Sequence, residues 1–277
     1  MKTVMIKVHE VWLEMLMAGF MSNQHKREFF DFADILFRHF TWIEDGMIRA
    51  GEEYSYDRGA VPIKVEHLNI LIKDIEVRLS DIELQLMSLE DRALASRVDS
   101  DIKYMINVLT QMSDEVISAF SMNRVMEGYS LSNEARDALT LFLFEESYKE
   151  YELVLIYNYL KAHSKDAYMN RIFQILIDES MFHLKCFGDM QAKMGILATP
   201  RVVMKELYQV EDVVKFLKDG IDEEILAKEE CKKLAEAVSK DNKELAKFFD
   251  FINNQENYHI ALMEDALKHY QEVNGIE

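Results

Sequence analysis

The sequence predicts an all-α protein built as two four-helix bundles, and three observations carry that prediction. The chain has 277 residues but only 9 Gly and 2 Pro, so little in it stops a helix. Apolar residues recur at three- and four-residue intervals along most of its length. Pro62 and Pro200 each follow one long helical hairpin and precede another, the layout of a bundle with a longer crossover.

Taken in order, the periodicity predicts a first helix over 3–22, anchored by Trp12, and a second over 25–50, anchored by Trp42. YSYDRGAVPIKV, 54–65, is irregular enough to be a structured loop. A third helix is predicted over 64–89 and a fourth over 92–121. The polar stretch 121–135 then separates the halves, giving domains of 1–124 and 133–277. In the second half the predicted helices cover 135–163, 166–194, 210–239 and 242–273. The repeated layout suggests an internal duplication.

Composition narrows the class. At 49% hydrophobic residues the chain can bury a large core, and 17 Met with 16 Phe suit helical packing. A net charge of −18 disfavours nucleic acid and anionic membranes as partners. The two cysteines, Cys186 and Cys231, form no CxxC pair, so neither a rubredoxin-type iron centre nor a zinc knuckle can be built. The first residues, interrupted by Lys7, His9, Glu10 and Glu14, do not read as a signal peptide. No apolar run is long enough to span a bilayer. The expected location is cytoplasmic.

The informative pattern lies in the second half. Its last helix carries Glu256 and His259, three apart, on a face expected also to hold Phe249, Ile252, Leu262 and Met263. An acid and an imidazole facing a core are costly unless paired. The preceding helix carries Glu224, 32 residues before Glu256. The first hairpin of this half repeats the arrangement, with Glu150 lying 33 residues before His183, and Glu179 four before it. In an antiparallel hairpin that separation brings the groups to one height. Four carboxylates and two imidazoles meeting there need cations, and two metal ions would neutralise them. Any single Glu at helical spacing is most often a solvated face residue, and a lone ExxH is weak. The matched spacing on four helices is what favours a site.

Val213 to Leu267 resembles the rubrerythrin-like branch of the ferritin-like superfamily, in its E-x-x-A-x-x-x-Y then E-x-x-H pattern, with Cys231 in the aromatic's place. Over 142–187 the resemblance is weaker. Glu150 and Tyr157 fit the pattern, but Leu153 replaces the small residue and Ser180 replaces the acid before His183. Glu179, one place earlier, would serve through its i,i+4 spacing or through a π-bulge, and Glu146 is an alternative ligand to Glu150.

The resemblance implies a ferritin-like second bundle holding two Fe ions, with Mn the alternative, through Glu150, Glu179, His183, Glu224, Glu256 and His259. It implies reduction of peroxide or dioxygen, with electrons from a separate donor protein. Tyr157 is the candidate catalytic side chain, as an electron relay or as a hydrogen-bond donor to a ligand carboxylate; plain packing is the other reading of it. An iron-binding, ferroxidase or storage protein and a non-catalytic interaction protein stay open, as does homodimerisation. In the first half, His39, Asp101, Tyr104, Glu10, Glu14, Glu66, His67 and Glu76 do not assemble into a matched set, so that bundle is expected to lack a complete dinuclear site.

Overall fold

The computed structural model describes residues 1–59, 61, 67–118, 131–197 and 200–276. Those residues are helical without any strand, and the chain divides into two compact units. The expectations for Pro62, Glu66 and most of 121–135 fall outside the described residues.

The first unit holds α1 (Lys2–Met21), α2 (Lys26–Ala50), α3 (Leu68–Leu86) and α4 (Arg92–Leu109). α1 is apolar nearly all round and is buried along most of its length, as such a helix must be. It packs against α2 and α3, and α4 closes against α2 and α3. Trp12, Phe37 and Phe40 stack at its centre with Tyr56 from the loop after α2. That loop begins at Gly51, whose φ of 68° lets its N–H return to the carbonyls of Met47 and Ile48.

Two boundaries in this unit differ from the sequence expectation. α4 ends at Leu109 rather than near 121. The Thr110 hydroxyl turns back onto the carbonyls of Ile106 and Asn107, and 112–118 leave the helix. This segment completes two other helix ends. Buried Glu115 accepts hydrogen bonds from the backbone N–H of Asn23 and Gln24, at 3.0 and 3.2 Å, and from the Ser22 hydroxyl. The Ile117 carbonyl accepts from the N–H of Leu68, where α3 starts. The second difference is that Gln191–Lys205 belongs to the first unit and not to the second. Within it the Pro200 carbonyl accepts from Arg58 Nη2 at 2.6 Å.

The second unit contains α5 (Asn133–His163), α6 (Ala167–Lys193) as far as Met190, α8 (Val213–Val238) and α9 (Lys243–Asn274), with a single extra turn from Glu206 in α7 (Lys205–Tyr208) that the periodicity does not announce. Side-chain caps fix where the long helices begin. Ser132, Asp212 and Asn242 accept from the N–H of Ala135, Lys215 and Leu245. Asp166 does the same for α6 through Tyr168 and Met169, and its other oxygen takes His269 Nε2 at 2.7 Å. These caps pin the short turns after α5 and α8. The pinned turns in turn set which residues of each hairpin stand level.

Candidate metal centre

Inside the second unit α5, α6, α8 and α9 each turn polar side chains inward. α5 supplies Glu146, Glu150 and Tyr157. α6 supplies Ser180 and His183. α8 supplies Glu224, and α9 supplies Glu256 and His259. All eight are buried.

The tightest group is Glu224, Glu256 and His259, whose candidate ligand atoms all lie within 4.8 Å of one another. Among the described residues it is the one such group of three or more His, Cys, Asp or Glu side chains. His259 Nδ1 is 2.9 Å from Glu256 Oε2 and 3.6 Å from Glu224 Oε1. Two ligands on bonds of about 2.1 Å stand about 3.0 Å apart at a right angle and about 3.6 Å apart at 120°. The same spacing that serves a hydrogen bond without metal also suits donors sharing one ion. Two carboxylates with one imidazole are a donor set suited to Fe or Mn.

The far side of His259 is also fixed, because its Nε2 hydrogen-bonds the Glu179 carboxylate on α6. A carboxylate on the outer ring nitrogen orients a metal-binding histidine and raises its basicity. Glu179 therefore stands behind His259 and not beside His183. α6 runs as an unbroken α-helix with no π turn, so nothing rotates Glu179 inward.

His183 has a matching environment. Its Nδ1 lies 2.9 Å from Glu150 Oε1, and its Nε2 lies 3.1 Å from Gln255 Oε1 on α9. The two imidazoles sit 5.7 Å apart. Each helix therefore uses the residue four before its own histidine, Glu179 on α6 and Gln255 on α9, to hold the histidine of the other. Gln255 is not among the sequence candidates, yet the i−4 spacing that singles out Glu179 before His183 also points to Gln255 before His259. The structure thus brings together Glu150 with His183 and Glu224 with Glu256 and His259, and puts Glu179 on the outer nitrogen of His259. Glu146 is engaged by Lys149 at 2.7 Å.

Electrostatics show how strongly this core calls for positive charge. Burial opposes an imidazolium at His259, but hydrogen bonds with Glu179, Glu224 and Glu256 outweigh it and push its pKa up to about 12. At His183 burial again opposes, and the charge and hydrogen bond of Glu150 raise it to about 9. Burial pushes Glu256 up to about 8, and the adjacent Glu224 adds to that rise. For Glu224 burial pulls upward, but hydrogen bonds with His259 and Glu256 carry it below the usual carboxylate range. Without metal, protons fill the place of cations.

A cavity of about 270 Å³ opens beside these groups, lined by Tyr157, Ser180, Glu224, Glu256 and His259, with Phe216 and Met263 in its apolar wall. Tyr157 is 1% exposed and its hydroxyl has no hydrogen-bond partner, so the expected bond to a ligand carboxylate is not made. Burial first, then the charges of Glu224, Glu150 and Glu256, hold its pKa well above the ordinary tyrosine value. It is a hydroxyl donor. Cys231 is buried and Cys186 half-buried, neither in a disulfide, and burial raises the Cys231 pKa, which makes it a weak nucleophile.

The first unit meets its buried acids differently. Glu14, fully buried on α1, is 3.1 Å from Arg78 Nε, and Arg78 Nη1 is 3.1 Å from Glu10. His39 on α2 pairs through Nε2 with Asp101 on α4 at 2.9 Å, and Arg97 hydrogen-bonds the other Asp101 oxygen. Burial lowers the His39 pKa against the pull of Asp101. A guanidinium here supplies charge that the second unit would take from metal. Among the described residues no metal-ligand group includes His39.

Comparison of the chain with protein families, curated proteins and solved structures found no match. Among the described residues no helix is long and apolar enough to cross a membrane.

Proposed function

We propose that the second unit is a ferritin-like metal centre of an oxidoreductase that reduces peroxide or dioxygen, with Fe or Mn as its metal. The observation that supports this most is His259. Its Nδ1 faces two carboxylates at ligand spacing, and a third carboxylate holds its Nε2. Glu224, Glu256 and His259 would hold the first ion. Glu150 and His183 would hold a second, which has fewer protein ligands and binds more weakly.

The bound pair would supply two electrons to a small oxidant. The chain's own contributions are separate from that chemistry. Glu179 and Gln255 fix the two imidazole rings. Phe216 and Met263 keep the cavity wall apolar. Tyr157 presents an O–H to whatever occupies the cavity. Electrons would come from a separate donor protein.

The test is anaerobic titration of purified, metal-free protein with Fe(II), with bound metal measured by elemental analysis. One tight and one weaker equivalent per chain are expected, with peroxide consumption by the reduced form. The double substitution Glu224→Gln with Glu256→Gln should remove the tight equivalent. Absence of any bound Fe or Mn in the wild-type chain would refute the proposal.

A further inference from the structure

We propose that Ser180 and Tyr157 form an anion subsite of this centre, where a small monocarboxylate of formate or acetate size takes the place of a missing fourth glutamate. This inference rests on the metal reading above and adds a ligand to it.

The argument begins with the pseudo-symmetry of the site. Glu150 on α5 corresponds to Glu224 on α8, and His183 on α6 corresponds to His259 on α9. The crosswise partners Glu179 and Gln255 correspond as well. Three residues before His259 stands Glu256, and three before His183 stands Ser180. Ser180 is 2% exposed and lines the cavity together with Glu256. The symmetric partner of a buried carboxylate is thus a small hydroxyl facing open space.

Tyr157 is the independent observation. It is buried, it lines the same cavity, and its hydroxyl is without a partner. A buried hydroxyl left unpaired is unfavourable, and this one sits among carboxylates that keep it protonated. It is a donor that lacks its acceptor. The cavity's 270 Å³ is several times the roughly 30 Å³ share of one water, so a carboxylate of two to four heavy atoms fits.

The metal would select the ligand. The cavity is rich in acids, with Glu146, Glu152, Asp219 and Glu223 beside Glu150, Glu224 and Glu256, and with Lys149 and His259 as its basic groups, so nothing in the metal-free cavity favours an anion. Two divalent ions would balance Glu150, Glu179, Glu224 and Glu256, and a small monoanion would then be held by a bound ion and by the Tyr157 O–H. The anion would accept a hydrogen bond from the Tyr157 O–H with one oxygen and leave the other for a bound ion, in the space beside Ser180 that a glutamate there would fill. No bond is made or broken in this step.

Cobalt(II)-loaded protein titrated with sodium formate tests this through the visible absorption bands of the metal. Formate should shift the wild-type bands and saturate. Tyr157→Phe should weaken formate about tenfold, the worth of one hydrogen bond to a charged group, with cobalt content unchanged. Ser180→Glu should abolish the formate response and tighten the second cobalt equivalent at least tenfold, because the protein then supplies the carboxylate itself. Circular dichroism shows whether that variant folds, and Tyr157→Phe decides the matter if it does not. Cobalt bound with no spectral response to formate overturns the subsite alone, as does an unchanged formate affinity in Tyr157→Phe. No cobalt bound to wild type overturns the metal reading, and the subsite falls with it.

Discussion

Glu179→Gln separates a positioning role from a ligand role. Glu179 accepts from His259 Nε2, on the side of the ring away from Glu224 and Glu256. The amide keeps the acceptor and removes the charge. Loss of such an outer partner costs 10- to 100-fold in metal affinity, about 1.4–2.7 kcal/mol. The Glu179 side chain is 24% exposed, so solvent screening places the effect near the lower end, about tenfold. A competition titration against a coloured chelator, run with Co(II) or Fe(II), reads both affinity and stoichiometry. The expected result is about tenfold weaker binding of the tight ion with the number of ions unchanged. Loss of a whole metal equivalent would show that Glu179 is itself a ligand. Unchanged affinity would show that the outer nitrogen of His259 does not matter. Either result refutes the reasoning.

Two further outcomes concern the first unit. Burial, reinforced by Arg58, lowers the His9 pKa from 6.5 to about 3. The unfolded chain therefore binds the proton first, and stability present above pH 6.5 is lost as pH falls toward 3. Between pH 7 and pH 5 the loss is about 2 kcal/mol, read as a steeper decline in denaturant midpoint for wild type than for His9→Asn; parallel curves would contradict it. Arg78→Met deprives fully buried Glu14 of its guanidinium and should cost about 3 kcal/mol. Arg78→Met with Glu14→Gln should recover most of that in urea unfolding, and a double variant no better than the single would show that charge pairing is not what Arg78 supplies.

The long helices were legible because their physics is local. Apolar periodicity and scarce breakers set α1, α2, α5, α6, α8 and α9 to within a few residues. α4 is shorter than its apolar pattern suggests: beyond Leu109 the chain leaves the helix, and Glu115 turns to the N–H groups of Asn23 and Gln24, more than 90 residues away. No helical period reports such a contact. At the site, the hairpin separation brought Glu150 to His183 and Glu224 to His259, since two antiparallel helices with a short turn dictate it. Glu179 was harder. Spacing places it on the face of His183, but a long side chain on a packed helix reaches across to its neighbour, and the register of α6 against α9 decides which imidazole it meets. Gln255 gives no such signal in the sequence, because a neutral amide adds nothing to a pattern of charges. Similarly, His39 and Asp101 looked unmatched along the sequence, and only the packing of α2 on α4 joins them.

The crosswise grips on the two histidines also say when the proposed centre would be complete. Glu179 meets His259 across 80 residues of chain, and His183 meets Gln255 across 72, whereas Glu224, Glu256 and His259 all lie on the α8–α9 hairpin. Contacts so distant cost more chain entropy to close than those within a hairpin. An ion bound as proposed would therefore brace one hairpin before the other docks and grips its histidine. Metal should then speed refolding as well as slow unfolding, read by stopped flow in its presence and absence.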